Sequence, residues 1–139
     1  MKKTILKWII SFICILIFIV VVGTIKIYND FFPMAEPIHL PNNEEITMIE
    51  IKKDNFNIKY TEVEILKTII DQLSKAKETR ILTVHDQPTV MEYYTINIIT
   101  KDNSDIYTSF IYQENSKWYI EQPYRGVYEI KEDISFLLK

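Results

Sequence analysis

Between Lys7 and Lys26 the chain runs for eighteen residues, Trp8 to Ile25, without a charge. At the ~1.5 Å rise of a helix such a run spans ~27 Å, close to the ~30 Å hydrocarbon core of a bilayer. The chain must therefore divide into an apolar helix and something else. Ile5, Leu6 and Ile27 lengthen the run if Lys7 and Lys26 snorkel to the headgroups. Lys2, Lys3 and Lys7 precede it, and Lys26 stands almost alone after it. The positive-inside rule then puts the N-terminus in the cytoplasm and residues 28–139 outside. Trp8 marks one boundary, and Tyr28, Phe31 and Phe32 the other, as an aromatic belt would. A cleaved signal peptide has a core of only ~7–15 residues and a small-residue cleavage site; Val20 to Ile25 offers a poor one. Cys14 follows Ile13 in mid-run, which excludes a lipoprotein signal and leaves the thiol as a small apolar side chain. The expectation is an uncleaved single-pass anchor in the plasma membrane, touching lipid through residues 8–25.

Composition narrows what the other part can do. One cysteine excludes a disulfide framework and a thiolate zinc cage, and two glycines exclude a glycine-rich nucleotide loop. His39 and His85 are the only histidines, and one falls in a predicted spacer, so neither metal nor cofactor is expected. The net charge of −3 averages two unlike parts. Setting aside the four lysines and Asp30 of residues 1–30 leaves 12 bases and 18 acids in the remainder, about −6. A body of that sign with no basic run repels a phosphate backbone, which argues against nucleic acid. An exported part without cysteine pairs, in a chain rich in Ile, Lys and Asn, suits a Gram-positive bacterium with an AT-rich genome.

Three segments are expected: residues 1–28 as cytoplasmic stub and anchor, 29–45 as a spacer, and 46–139 as an extracytoplasmic domain. Pro33, Pro37 and Pro41 recur every fourth residue and predict a stiff, extended spacer reaching up to ~50 Å. Ile46–Ile51 and Phe56–Tyr60, flanking Lys53-Asp54-Asn55, predict a hairpin. Thr61-x-x-Glu64 predicts a capping box, and Val63, Leu66, Ile69, Ile70, Leu73 and Ala76 one helical face. Strands follow over 81–84, 91–100, 106–112 and 117–121, with turns at 102–104 and 114–116, a small strand over 127–131 and a helical turn over 133–138. The fold class is α+β: an antiparallel meander with one long helix on one face.

Two stretches stand out: Thr79-Arg80-x-x-Thr83-Val84-His85-Asp86-Gln87-Pro88, and Ile120-Glu121-Gln122-Pro123-Tyr124-Arg125-Gly126-Val127-Tyr128, the latter holding the rare string Glu121 to Gly126. With the hairpin and helix before them they resemble, over roughly residues 38–138, a family of small extracytoplasmic domains of Gram-positive bacteria catalogued only as a domain of unknown function. A small polar residue or Asn stands in that family where this chain has His85. The resemblance implies the architecture and brings no activity.

Arg80 and Arg125 are the only arginines, one in each stretch. Paired with Asp86 or Glu121 they would latch the loops to the sheet; with Tyr124 they would instead line a pocket for an anionic or peptide ligand. Gly126 is expected at positive φ, which would present Tyr124-Arg125 on a tight turn. Tyr93, Tyr107 and Tyr119 suggest an aromatic partner face. No nucleophile motif accompanies His85-Asp86, and adjacent side chains point apart in extended chain. The reading that follows is a membrane-tethered, non-catalytic binding or regulatory module with a protein or peptide partner outside the membrane. The alternative is a small cell-envelope hydrolase or peptide-modifying enzyme using His85 and Asp86.

Overall fold

The computed structural model describes residues 2–83, 85–101 and 106–138. Two compact units divide the chain, Met1–Pro33 and Met34–Lys139. The first is one helix, α1, Lys2–Phe31. Its stretch Ile5–Phe31 buries none of its surface and is long and apolar enough to cross a bilayer. The helix overruns the expected anchor limit at residue 28 by three residues.

The second unit contains β1 (Ile46–Lys53), β2 (Phe56–Tyr60), α2 (Val63–Ser74), β3 (Lys77–Glu78), β4 (Tyr94–Thr100), β5 (Ile106–Glu114), β6 (Lys117–Gln122) and β7 (Gly126–Ile130), then a 3-10 turn over Ser135–Leu138. The strands form one antiparallel sheet in the order β2-β1-β4-β5-β6-β7-β3. The hairpin β1–β2 forms one edge and the meander β4 to β7 the rest. Since β2 and β3 are opposite edges, α2 must cross a whole face of the sheet between them. The tight β5–β6 turn holds Asn115 and Ser116 at φ 51° and 64°, the pair of positive values that a two-residue hairpin loop asks for.

Register sets the faces. Ile51 lies opposite Ile58 and Ile96, and Ile111 opposite Ile120, which faces Tyr128. These side chains share one face, where Leu66, Ile69, Ile70 and Leu73 of α2 bury against them. Val63, expected on that stripe, is 61% exposed, because it sits at the first helical position, beyond the edge of the packed face. The capping box does not form either: the N-cap is Glu62, with no side-chain cap bond.

The expected strand over 81–84 is corrected. Pairing with β7 ends at Glu78, and Ile81 to Thr83 are outside any strand; Val84 and the turn expected at 102–104 lie outside the described residues. The Thr79 N–H and Oγ1 both donate to the Val127 carbonyl (3.1 and 2.7 Å). Beyond that fork the edge pairing ends, and the chain leaves the edge of the sheet. The expected spacer is also corrected. The Ala35 N–H donates to the Thr79 carbonyl (2.9 Å), Ala35, Ile38 and Leu40 pack on the main core, and Pro41 is buried. Residues 35–41 are thus a strap on the domain, because Ala35, Ile38 and Leu40 pack against the same core that α2 covers.

Candidate functional site

The rare string Glu121 to Gly126 ends β6, forms the turn and starts β7. The Arg125 N–H donates to the Gln122 carbonyl (3.0 Å), with Pro123 and Tyr124 between. Proline fixes φ near −65° at the first turn position, and a type II turn then demands positive φ at the second. The residue that supplies it is Tyr124, at φ 61°, and no glycine in the chain has positive φ. The expectation for Gly126 is therefore corrected. A β-carbon there would stand 2.3 Å from the Ala35 Cβ, so residue 126 is glycine to let the strap approach.

Each side chain of the string fastens a different covering segment. On one face, the buried Gln122 amide brackets the strap: its Oε1 accepts the His39 N–H (2.9 Å) and its Nε2 donates to the His39 carbonyl (2.7 Å). On the other face, Glu121 Oε1 accepts the Thr83 hydroxyl (2.5 Å). The Tyr124 hydroxyl donates to Asp86 Oδ1 (2.8 Å), a bond that holds its proton above the usual phenol range. These two contacts fix Thr83 and Asp86, and Val90 and Tyr93 pack farther along, on the outer face of the sheet.

On that face lies a second small core of Tyr112, Tyr119 and Val127, with Val90 and Tyr93 packed on it. Tyr112 stacks on Tyr119 (centroids 5.7 Å apart), and Tyr93 meets Phe110 edge-on at 5.3 Å. Burial, with the carboxylates of Glu121 and Glu114 nearby, pushes the Tyr112 hydroxyl far up. Tyr119 is buried rather than presented to a partner. Tyr107 pairs with Ile98 and so lies on the opposite face, where its ring is 5.3 Å from that of His39. Tyr93, Tyr107 and Tyr119 do not form one aromatic face. The parity of β5 places Tyr107 and Tyr112 on opposite sides.

Among the expected site residues, Asp86 and Tyr124 are brought together, and Glu121 anchors the same loop through Thr83. Arg80 is half-buried beside Thr79 and Arg125 is exposed on the turn. The Arg125 charge draws the Tyr128 phenol down, against the stronger upward push of burial. Both carboxylates of the expected latch thus accept hydroxyls. His85 is exposed, and among the described residues no hydroxyl or carboxylate hydrogen-bonds to it; nor do three His, Cys, Asp or Glu side chains group as a metal would need. Gln122, Thr83, Ala35 and His39 were not legible as partners, although a glutamine before Pro123 in so uncommon a string was a usable signal.

Depressions among the described residues of the domain surface include the following three. One of about 420 Å³ lies between Lys52–Asp54 and Met91–Tyr93, bridged by Lys53 and Glu92 at 2.9 Å. A second, of the same volume, is lined by charged residues around Trp118 and Glu129. The third, about 270 Å³ and apolar, lies between Tyr60, Ile65 and Leu137. None of these three is lined by a residue of the Glu121–Gly126 string.

A family model described as "Domain of unknown function (DUF5300)" matches residues 34–129, and no curated protein matches the chain. The solution structure titled "NMR structure of the protein from Ruminococcus gnavus" is similar at 33% identity and a TM-score of 0.61, covering 72% of this chain and 97% of that one. The matched residues begin where the compact unit begins and include the whole Glu121–Gly126 string, and the chain belongs to this DUF5301 family of domains of unknown function.

Proposed function

We propose that this protein is a membrane-tethered module whose domain stands on the extracytoplasmic side and binds or regulates a protein or peptide partner rather than catalysing a reaction. The observation that carries it is α1: a 27-residue span, Ile5–Phe31, whose apolar window is not buried, joined to a second unit that is compact by itself. Water opposes such exposure at roughly 25 cal/mol per Å², so the helix needs an apolar phase. Lys2, Lys3 and Lys7 against Lys26 favour a cytoplasmic N-terminus. Two features favour binding over catalysis. Asp86 and Glu121 are spent on accepting the hydroxyls of Tyr124 and Thr83. Tyr124 keeps an exposed ring in a left-handed backbone conformation, a strained geometry that clusters at binding sites.

Intact mass of the protein extracted from native membranes tests the anchor, and protease added to whole cells tests the side. The expected result is a chain that retains residues 1–28 and a domain cut away from outside. A mature chain beginning near Ile25 or Lys26 would overturn the anchor; a domain that protease cannot reach until the membrane is opened would overturn the orientation.

A further inference from the structure

We propose that the corner at which the chain enters the domain, formed by Met34, Ile81, Leu82, Tyr124 and Arg125, lies in the lipid headgroup layer. This inference rests on the anchor reading above and adds which surface of the domain faces the membrane.

The first support is tether length. Helix α1 ends at Phe31, and Ala35 is already hydrogen-bonded to Thr79 and set against Gly126. Only residues 32, 33 and 34 intervene, so Ala35 can stand at most about 14 Å from Phe31. Tyr28, Phe31 and Phe32 are the aromatic residues expected at the lipid–water boundary. The residues fixed around Ala35 therefore stay near that boundary however the domain turns.

The second support is what those residues are. Thr79 is held by Val127, and its Oγ1 accepts the Ile81 N–H (3.2 Å). This places Ile81 and Leu82 beside the strap entrance, while Gly126 places the Tyr124–Arg125 turn there. Met34, Ile81, Leu82 and Tyr124 are 51%, 43%, 54% and 66% exposed. Three large apolar side chains, Met34, Ile81 and Leu82, left in water at one corner form an uncommon surface. A phenol and a guanidinium beside them are the types that combine an apolar body with a polar tip at an interface. The body of the domain is acidic, so a membrane of any ordinary composition does not attract it as a whole; contact is confined to this corner, where Arg125 supplies a cation for a headgroup phosphate. Of the acids near the corner, Asp86 is engaged by the Tyr124 hydroxyl, while Glu36 and Glu78 stand with Arg125 around the Tyr128 phenol.

The test uses the full chain in vesicles of phosphatidylcholine and phosphatidylglycerol containing nitroxide lipids, labelled either at the headgroup or deep in the acyl chain. A fluorophore goes on native Cys14, or, in a Cys14→Ser background, on Leu82→Cys, on Ile81→Cys, or on Glu114→Cys at the far end of the strands. The expected result is deep quenching of Cys14, headgroup quenching of Leu82 and Ile81, and severalfold weaker quenching of Glu114 by either lipid. Deep quenching of Cys14 with Leu82 and Ile81 no more quenched than Glu114 would overturn this inference alone. Absence of deep quenching at Cys14 would overturn the anchor reading, and this inference with it.

Discussion

A methyl group at residue 126 would collide with the methyl group of Ala35, Cβ to Cβ at 2.3 Å, with the Tyr128 hydroxyl at 3.3 Å beside it. Neither neighbour can move freely, since Ala35 is fixed by Thr79 and Tyr128 is fully buried. Gly126→Ala should therefore cost about 1–3 kcal/mol, the usual penalty for overpacking. Because the cause is contact and not backbone φ, Ala35→Gly in the same chain should return much of that stability. Urea melts of the two single variants and the double variant check this: a double variant no more stable than Gly126→Ala would sink the contact explanation. That Gly126 matters was legible from the rarity of the string around it, but the reason was not. A positive φ is a local property that sequence suggests; the approach of a strap ninety residues earlier in the chain is a tertiary fact. Tyr124 carries the opposite lesson, since the large aromatic residue occupies the left-handed position that glycine or asparagine ordinarily takes.

Elements whose burial follows their own periodicity were readable, and those placed by distant partners were not. The helix stripe Leu66, Ile69, Ile70 and Leu73 and the alternation of β4, β5 and β6 met the faces expected of them. Two-residue β3 has no alternation to read, and Ile81-Leu82, the better strand by propensity, lost the edge because Thr79 had already taken the Val127 carbonyl. The start of α2 failed at the level of one residue. Thr61 and Glu64 have the right spacing for a capping box, yet the chain enters the helix at Glu62, at φ −74° and ψ 125°, one position later. Glutamate is too long to cap the amides of the first turn well, so those donors are left to water. Glu62→Ser should then raise stability by about 0.5–1 kcal/mol, whereas Thr61→Ala should leave it nearly unchanged. Thermal melts that rank the two the other way would show that the capping box forms in solution and that the entry point is misplaced.

For the molecule as a whole, the informative boundary is the one between residues 33 and 34. Proline spacing made residues 29–45 read as a spacer, because Pro33, Pro37 and Pro41 exclude helix and disfavour regular strand. The same prolines also stiffen a segment that lies along a sheet, and sequence alone does not separate the two outcomes. What separates them is the Gln122 amide, which gives the strap the paired bonds a neighbouring strand would give, and the apolar alternation of Ile38 and Leu40. The compact unit and the family match both begin at residue 34. A fragment of residues 34–139 should therefore melt cooperatively, while one of residues 46–139 should not. The shorter fragment loses the burial of Ala35, Ile38, Leu40 and Pro41, at roughly 1.5–3 kcal/mol for each large side chain fully buried and less for these part-buried ones. It also leaves the buried Gln122 Oε1 without the His39 N–H, while Nε2 keeps Ser109 Oγ, and an unmet buried acceptor costs about 1–3 kcal/mol. Together these approach the ~5–15 kcal/mol by which an ordinary domain is stable, so the loss should appear as a broad or absent transition in circular dichroism. A fragment of residues 46–139 melting within about 1 kcal/mol of the longer one, less than a single unmet buried amide should cost, would mean that the strap is only laid on the domain and that the spacer reading was right.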